Sequence, residues 1–136
     1  NIGTLRMSMG KVKDIHWRDL YVWLESYKEK YHPLYGIGVG GNINTIQKYF
    51  IKAKQSEVYY SDLQRTLTLL EPLSIEERIL KYGFKPDRAD VILPATKIFM
   101  RVMSVVEIDT LYVPKVGLGD GMIHLMYEKM QKKKKK

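Results

Sequence analysis

An α/β fold with a helical insertion is what this sequence predicts, and three observations predict it. Tyr35 to Ile46 reads as a short strand running into a Gly40-Gly41 turn and then a helix. Thr110 to Val113 reads as another short strand, followed by the glycine turn Gly117-Leu118-Gly119-Asp120-Gly121 and a last helix. Between the two lie segments with helical apolar spacing, capping signals and breakers, but no strand pattern.

Taken in order, Ile2 to Ser8 alternates and is expected to be a strand. The chain begins without Met, which is expected of a piece of a longer one. Trp17, Leu20, Tyr21, Leu24 and Tyr27 recur at helical spacing over Trp17 to Glu29, with Asp14 as the expected N-cap. Leu34 to Val39 is the next expected strand. Asn42 is placed to cap the helix after it, whose face is Ile43, Ile46, Tyr49 and Phe50. Ser61 with Gln64 makes a capping box for a helix lined by Leu63, Leu67 and Leu70 and stopped by Pro72. Ser74 with Glu77 makes a second box for a short helix ending near Gly83. Pro86-Asp87 opens an apolar stretch to Val106 that Pro94 should kink or split. Met122, Leu125, Met126 and Met130 give the last helix its stripe. Together with Met100 and Met103, these methionines are expected in the core.

The Gly40-Gly41 turn carries the chemistry. A glycine turn at a helix start brings backbone N–H groups and the helix dipole to bear on an anion, with no Cβ in the way. That points to phosphate, and a corner used only for close packing accounts for the same residues. Gly36, Gly38 and Gly41 formally satisfy a dinucleotide fingerprint. That fingerprint needs a full strand before its first glycine, whereas Tyr31-His32-Pro33 precede this one. The Gly36-to-Gly41 spacing also mimics a phosphate-binding P-loop, but Asn42-Ile43 stand where Lys and Ser/Thr are required.

Composition removes other chemistries. At 136 residues with 45% hydrophobic residues the chain is one domain or part of one. It has no cysteine, hence no disulfide framework or thiolate metal site. No long apolar run or signal peptide occurs, so a soluble cytoplasmic protein with no membrane partner is expected. Lys132 to Lys136 supply five of the net charge of +8, leaving +3 elsewhere, so no specific nucleic-acid partner is expected. The lysine run, residues 132–136, is expected to be a disordered tail. His16, His32 and His124 are scattered without metal-ligand spacing. No Gly-x-Ser-x-Gly elbow is present. Glu76-Glu77 reads as a helix start favoured by the macrodipole. Arg88 and Asp90, at another helix start, read either as a capping ion pair or as a phosphate or hinge contact.

Two blocks together, Gly36-Ile37-Gly38-Val39-Gly40-Gly41-Asn42 and Arg88-Ala89-Asp90-Val91-Ile92 with the later Gly117-Leu118-Gly119-Asp120-Gly121-Met122, resemble the exopolyphosphatase/guanosine pentaphosphate phosphohydrolase family. Ile2-Gly3-Thr4-Leu5-Arg6 looks like an upstream strand of that family. The resemblance implies a ribonuclease-H-like lobe of the actin and sugar kinase superfamily, residues 1–131 being the second of two lobes around a phosphate cleft. It implies that Gly38, Gly40, Gly41 and Asn42 face bound phosphates, with Arg88, Asp90 and Asp120 as candidate secondary contacts. Asp120 and Gly119 depart from the family's usual Glu and Arg, and Asn42 from a frequent Thr. The first phosphate loop and the catalytic Glu segment of the family are absent from these residues. The resemblance thus implies a parent hydrolase of polyphosphate or guanosine pentaphosphate, with Mg²⁺, whose catalytic lobe lies outside this chain. A non-catalytic phosphate- or nucleotide-sensing lobe of the same superfamily is the alternative. The missing lobe is the expected partner, and a homodimer paired through the exposed strand Ile2 to Ser8 is the expected oligomer.

Overall fold

A computed structural model of the chain describes residues 1–51, 56–114 and 116–134. In chain order the elements are α1 (Thr4–Ser8), α2 (Asp14–Tyr31), β1 (Gly36–Ile37), α3 (Gly41–Phe50), β2 (Glu57–Tyr59), α4 (Tyr60–Leu70), α5 (Ile75–Tyr82), α6 (Pro86–Ala89), α7 (Ile92–Val105), β3 (Thr110–Tyr112) and α8 (Leu118–Lys134). The three strands make one sheet in the order β1-β3-β2. β3 is parallel to β1, with Gly36 opposite Leu111, and antiparallel to β2, with Val58 opposite Leu111. The mixed helix-and-strand class agrees with the expectation, and the four helices α4 to α7 form the insertion before β3.

α7 is the hub, packed on α1, α2, α3, α4 and α6. Its apolar side chains meet those of α3, α4 and the sheet in one core that includes Ile43, Ile46, Leu63, Leu70, Ile92 and Met103. Burying aliphatic side chains of this size stabilises by about 1.5–3 kcal/mol each. Pro94 does not break the helix. The chain splits earlier, at Asp90-Val91, which leaves Pro94 in the first turn of α7, where its missing N–H removes no helical bond. The Ser74–Glu77 box forms as read: Glu77 N–H donates to Ser74 Oγ at 3.1 Å and Ser74 N–H to Glu77 Oε2 at 2.7 Å. Gly83 ends α5 at φ 66°. Behind it Arg78 is buried and donates to Leu70 O at 3.2 Å and Ala89 O at 3.1 Å. Burial lowers its pKa from the ordinary value.

Several expectations are corrected. Ile2 to Ser8 is not a strand: Thr4–Ser8 is a helical turn whose bonds are local, Met7 N–H to Gly3 O and Met9 N–H to Leu5 O. It packs on α7, with Ser8 Oγ donating to Asp90 O at 3.3 Å. Alternation over so few residues does not exclude a helix, and among the described residues no strand pairs with this segment to form a ladder. A helix has no unpaired edge, so the homodimer expected through this segment loses its basis. Lys13 rather than Asp14 is the N-cap of α2, closed by Lys13 N–H donating to His16 Nδ1 at 3.1 Å. α4 begins after Tyr59, whose N–H donates to Asp62 Oδ2 at 3.1 Å, so Ser61 with Gln64 is not its box. Asn42 does not cap α3, because Gly40 holds that position. Tyr49 stands exposed on α3 while Gln47 is buried.

The largest correction is α8. Leu118, Met122, Ile123, Leu125, Met126, Tyr127 and Met130 are all exposed, Met122 at 55% and Met126 at 62%, so Met122, Met126 and Met130 are not core. Spacing specifies an apolar face; it does not supply the surface that covers it. α8 also runs through Lys134, so the first lysines of the expected disordered tail are helical, and residues 135–136 lie outside the described ones. No described helix is long and apolar enough to cross a membrane.

Candidate anion site at the glycine turn

Gly40 turns the chain from β1 into α3 at φ 102°, ψ 173°, a conformation L side chains rarely adopt. A Cβ there would meet nothing within 4 Å, so the turn opens to solvent. Among the described residues no carbonyl accepts from the N–H groups of Gly40, Gly41, Asn42 or Ile43. Free donors at the start of a ten-residue helix, with its dipole behind them, form a positive pole.

Arg88 is brought to this pole from α6. Its Nη1 donates to Asn42 Oδ1 at 3.4 Å, and a Cβ added to Gly41 would lie 3.0 Å from both Nη1 and Nη2. A guanidinium thus lies across Gly41, whereas Gly40 is glycine because of its backbone angle. The other partner of Arg88 is Asp87, at 3.8 Å, and not Asp90, so the expected capping ion pair between Arg88 and Asp90 is absent. Half-exposed and only loosely paired, Arg88 keeps donors for a further acceptor.

The other candidates go elsewhere. Gly38 is buried, with Ile43 Cγ1 3.0 Å and Val113 Cγ2 3.4 Å from where a Cβ would stand. Its N–H donates to Tyr112 O at 2.8 Å, so it continues the sheet and has no donor for a phosphate. Asp90 Oδ1 is buried without a hydrogen-bond partner, and a carboxylate oxygen repels a phosphate. Asp120 accepts from Gly117 N–H at 2.7 Å and serves as the local cap of α8. Sequence reasoning missed Asn44, whose Oδ1 is likewise buried without a partner; its one signal is a polar residue between Ile43 and Ile46. Among the described residues no three His, Asp or Glu side chains gather as metal ligands would.

No family model matches this sequence, and no curated protein matches it by sequence. Solved structures do match by shape. The crystal structure of the Aquifex aeolicus member of the Ppx/GppA family aligns over 87% of this chain and 42% of its own, at 22% identity and TM-score 0.63. The type II variant of the A. aeolicus Ppx/GppA phosphatase aligns over 90% of this chain and 46% of its own, at 22% identity and TM-score 0.65. A further structure of the A. aeolicus PPX-GPPA enzyme aligns over 82% and 41%, at 21% identity and TM-score 0.60. The chain therefore shares the fold of part of these proteins and spans less than half of their length. The likeness falls on the family that the two glycine blocks resemble.

Proposed function

We propose that this chain is the phosphate-holding lobe of a phosphoanhydride hydrolase acting on the ends of polyphosphate or guanosine pentaphosphate, a ribonuclease-H-like lobe of the actin and sugar kinase superfamily. The observation that carries the reading is Arg88 lying across Gly41 at the open N-terminus of α3. The N–H groups of Gly40, Gly41 and Asn42 hold one phosphate's oxygens, and Arg88 neutralises a neighbouring one. A chain of phosphates has both the charge and the repeat to use the two together.

The site's chemistry also bounds its role. Its donors are amide N–H groups and a guanidinium, which stabilise charge but take no proton from water. The general base of an in-line attack, expected to be a Glu, then comes from the partner lobe, and the chain alone binds without turnover. Mg²⁺, expected of the parent enzyme, takes oxygen ligands, and this cationic donor set does not fit it. Calorimetric titration of the chain with sodium tripolyphosphate tests the reading. Saturable binding weakened about tenfold in Arg88→Met is the expected result, the loss of one charge-assisted contact. Equal binding by wild type and Arg88→Met reduces the turn to a packing corner.

A further inference from the structure

A second cationic cleft lies between α2, α4 and α7, about 510 Å³ in volume, and it shares no residue with the glycine turn. Lys97, Met100, Arg101 and Ser104 enter it from one face of α7, at the three- and four-residue spacings that make neighbours on a helix. Tyr21 closes it from α2, and Tyr60 with Leu67 from α4.

Arg101 is the unusual group. Its Cζ sits 4.2 Å from the centroid of the Trp17 ring, and its Nη1 donates to Tyr21 Oη at 3.2 Å. Trp17 is buried, so the guanidinium rests on a fixed platform while its own side chain stays exposed. It forms no ion pair among the described residues. An arginine held over an aromatic ring loses little freedom when it binds and keeps most of its five donors in a planar fork. Lys97, one turn back, bridges Glu71 at 2.7 Å and has two further protons to donate. The hydroxyls of Tyr60 and Ser104 have no protein partner among the described residues. Leu67, Met100 and Val105 complete the lining with apolar surface.

We infer that this cleft binds a small organic anion with an apolar body. Its phosphate or carboxylate lies between Arg101 and Lys97, with Ser104 and Tyr60 as hydroxyl contacts, and its body lies on Leu67 and Met100. Apolar walls with a few convergent polar groups are the ordinary make-up of a small-molecule site. A cation that served only as packing for Trp17 needs neither the flanking lysine nor the two unspent hydroxyls.

The test is a nitrogen–proton correlation titration of the whole chain with phenyl phosphate. Benzoate tells the two anions apart, and inorganic phosphate and phenol serve as the separate halves. The expected result is saturable binding of phenyl phosphate or benzoate, with shifts at residues 97–105, Tyr21 and Tyr60. Each half alone binds about tenfold more weakly or worse. Arg101→Met weakens binding about tenfold, as expected for one charge-assisted contact. Ser104→Trp, at an exposed position, fills the cleft with both cations in place and has the same effect, so a fold damaged by the loss of Arg101 does not decide the matter. Inorganic phosphate binding as well as phenyl phosphate, shifts confined to residues 40–44, or binding unchanged in Ser104→Trp overturns the proposal.

Discussion

The two glycine turns read alike in the sequence and behave oppositely in the structure. Each follows a short strand, β1 or β3, and these two strands pair in parallel. Each opens a helix with an apolar stripe. On α3 the stripe is covered but for Tyr49, with Ile43 and Ile46 at 0% exposure, while on α8 every described side chain is exposed. The turns differ electrically as well. Gly41 lies under a guanidinium from another helix, whereas the N–H of Gly117 is taken by the carboxylate of Asp120, three residues on. One pole is left open to a foreign anion and flanked by a cation. The other has already received an anion from its own chain. Glycine makes both turns; the charge placed beside each decides what it can hold.

This contrast can be broken or sharpened by substitution. The largest effect is expected in packing. Ile46→Ala should cost about 2–5 kcal/mol in urea unfolding. Met126→Ala, its counterpart on α8, should stay within about 0.5 kcal/mol. A large loss from Met126→Ala would mean that α8 is covered in solution. Next come the glycines. Gly40→Val forces a branched side chain to φ 102° and should cost about 1–3 kcal/mol by the same measurement. Gly119→Ala, inside α8 with nothing within 4 Å of its Cβ, should instead raise helicity in far-ultraviolet circular dichroism, by about 1 kcal/mol of helix propensity. The electrical difference is smaller in energy and sharper in kind. Arg88→Met should weaken tripolyphosphate binding about tenfold, and Asp120→Asn should leave it unchanged. A matching loss in Asp120→Asn would mean that both turns face one ligand. The smallest effect is local: Asp120→Ala should fray the first turn of α8 by about 0.5–1 kcal/mol, seen as faster amide exchange at Gly117 to Gly121.

What could be read from the sequence was what is held by neighbours in the chain. The Ser74–Glu77 box, the left-handed Gly83 and the Gly40-Gly41 turn into α3 are set within a few residues, and each stands where its signal lay. What escaped depends on distant partners. β2 is three residues, Glu57–Tyr59, too few for a period, and exists because β3 pairs with it. Arg88 reaches Asn42 across the fold rather than its near neighbour Asp90, which no spacing rule encodes. The caps of α2 and α4 use His16 and Asp62 side chains to hold the backbone of Lys13 and Tyr59, poor residues for a cap by type alone. The fold class and the turn were thus legible. The division of labour among Gly38, Gly40 and Gly41 was not, because it rests on Val113 and Arg88.

Arg78 has a consequence of its own. By bonding the carbonyls of Leu70 and Ala89 it ties together two chain positions that bracket the whole of α5. A cysteine-free chain has no covalent staple, and this buried guanidinium closes a loop in the folded state only, leaving the unfolded chain unconstrained. Such a staple forms with folding and lets go with it, so it lends cooperativity rather than a permanent tether. It also joins α5 to the C-terminal end of α6, the short helix that carries Arg88. Hydrogen exchange at α5 and at the glycine turn should accordingly quicken together in Arg78→Lys, since an ammonium on a lysine stem does not reproduce the planar fork that spans both carbonyls.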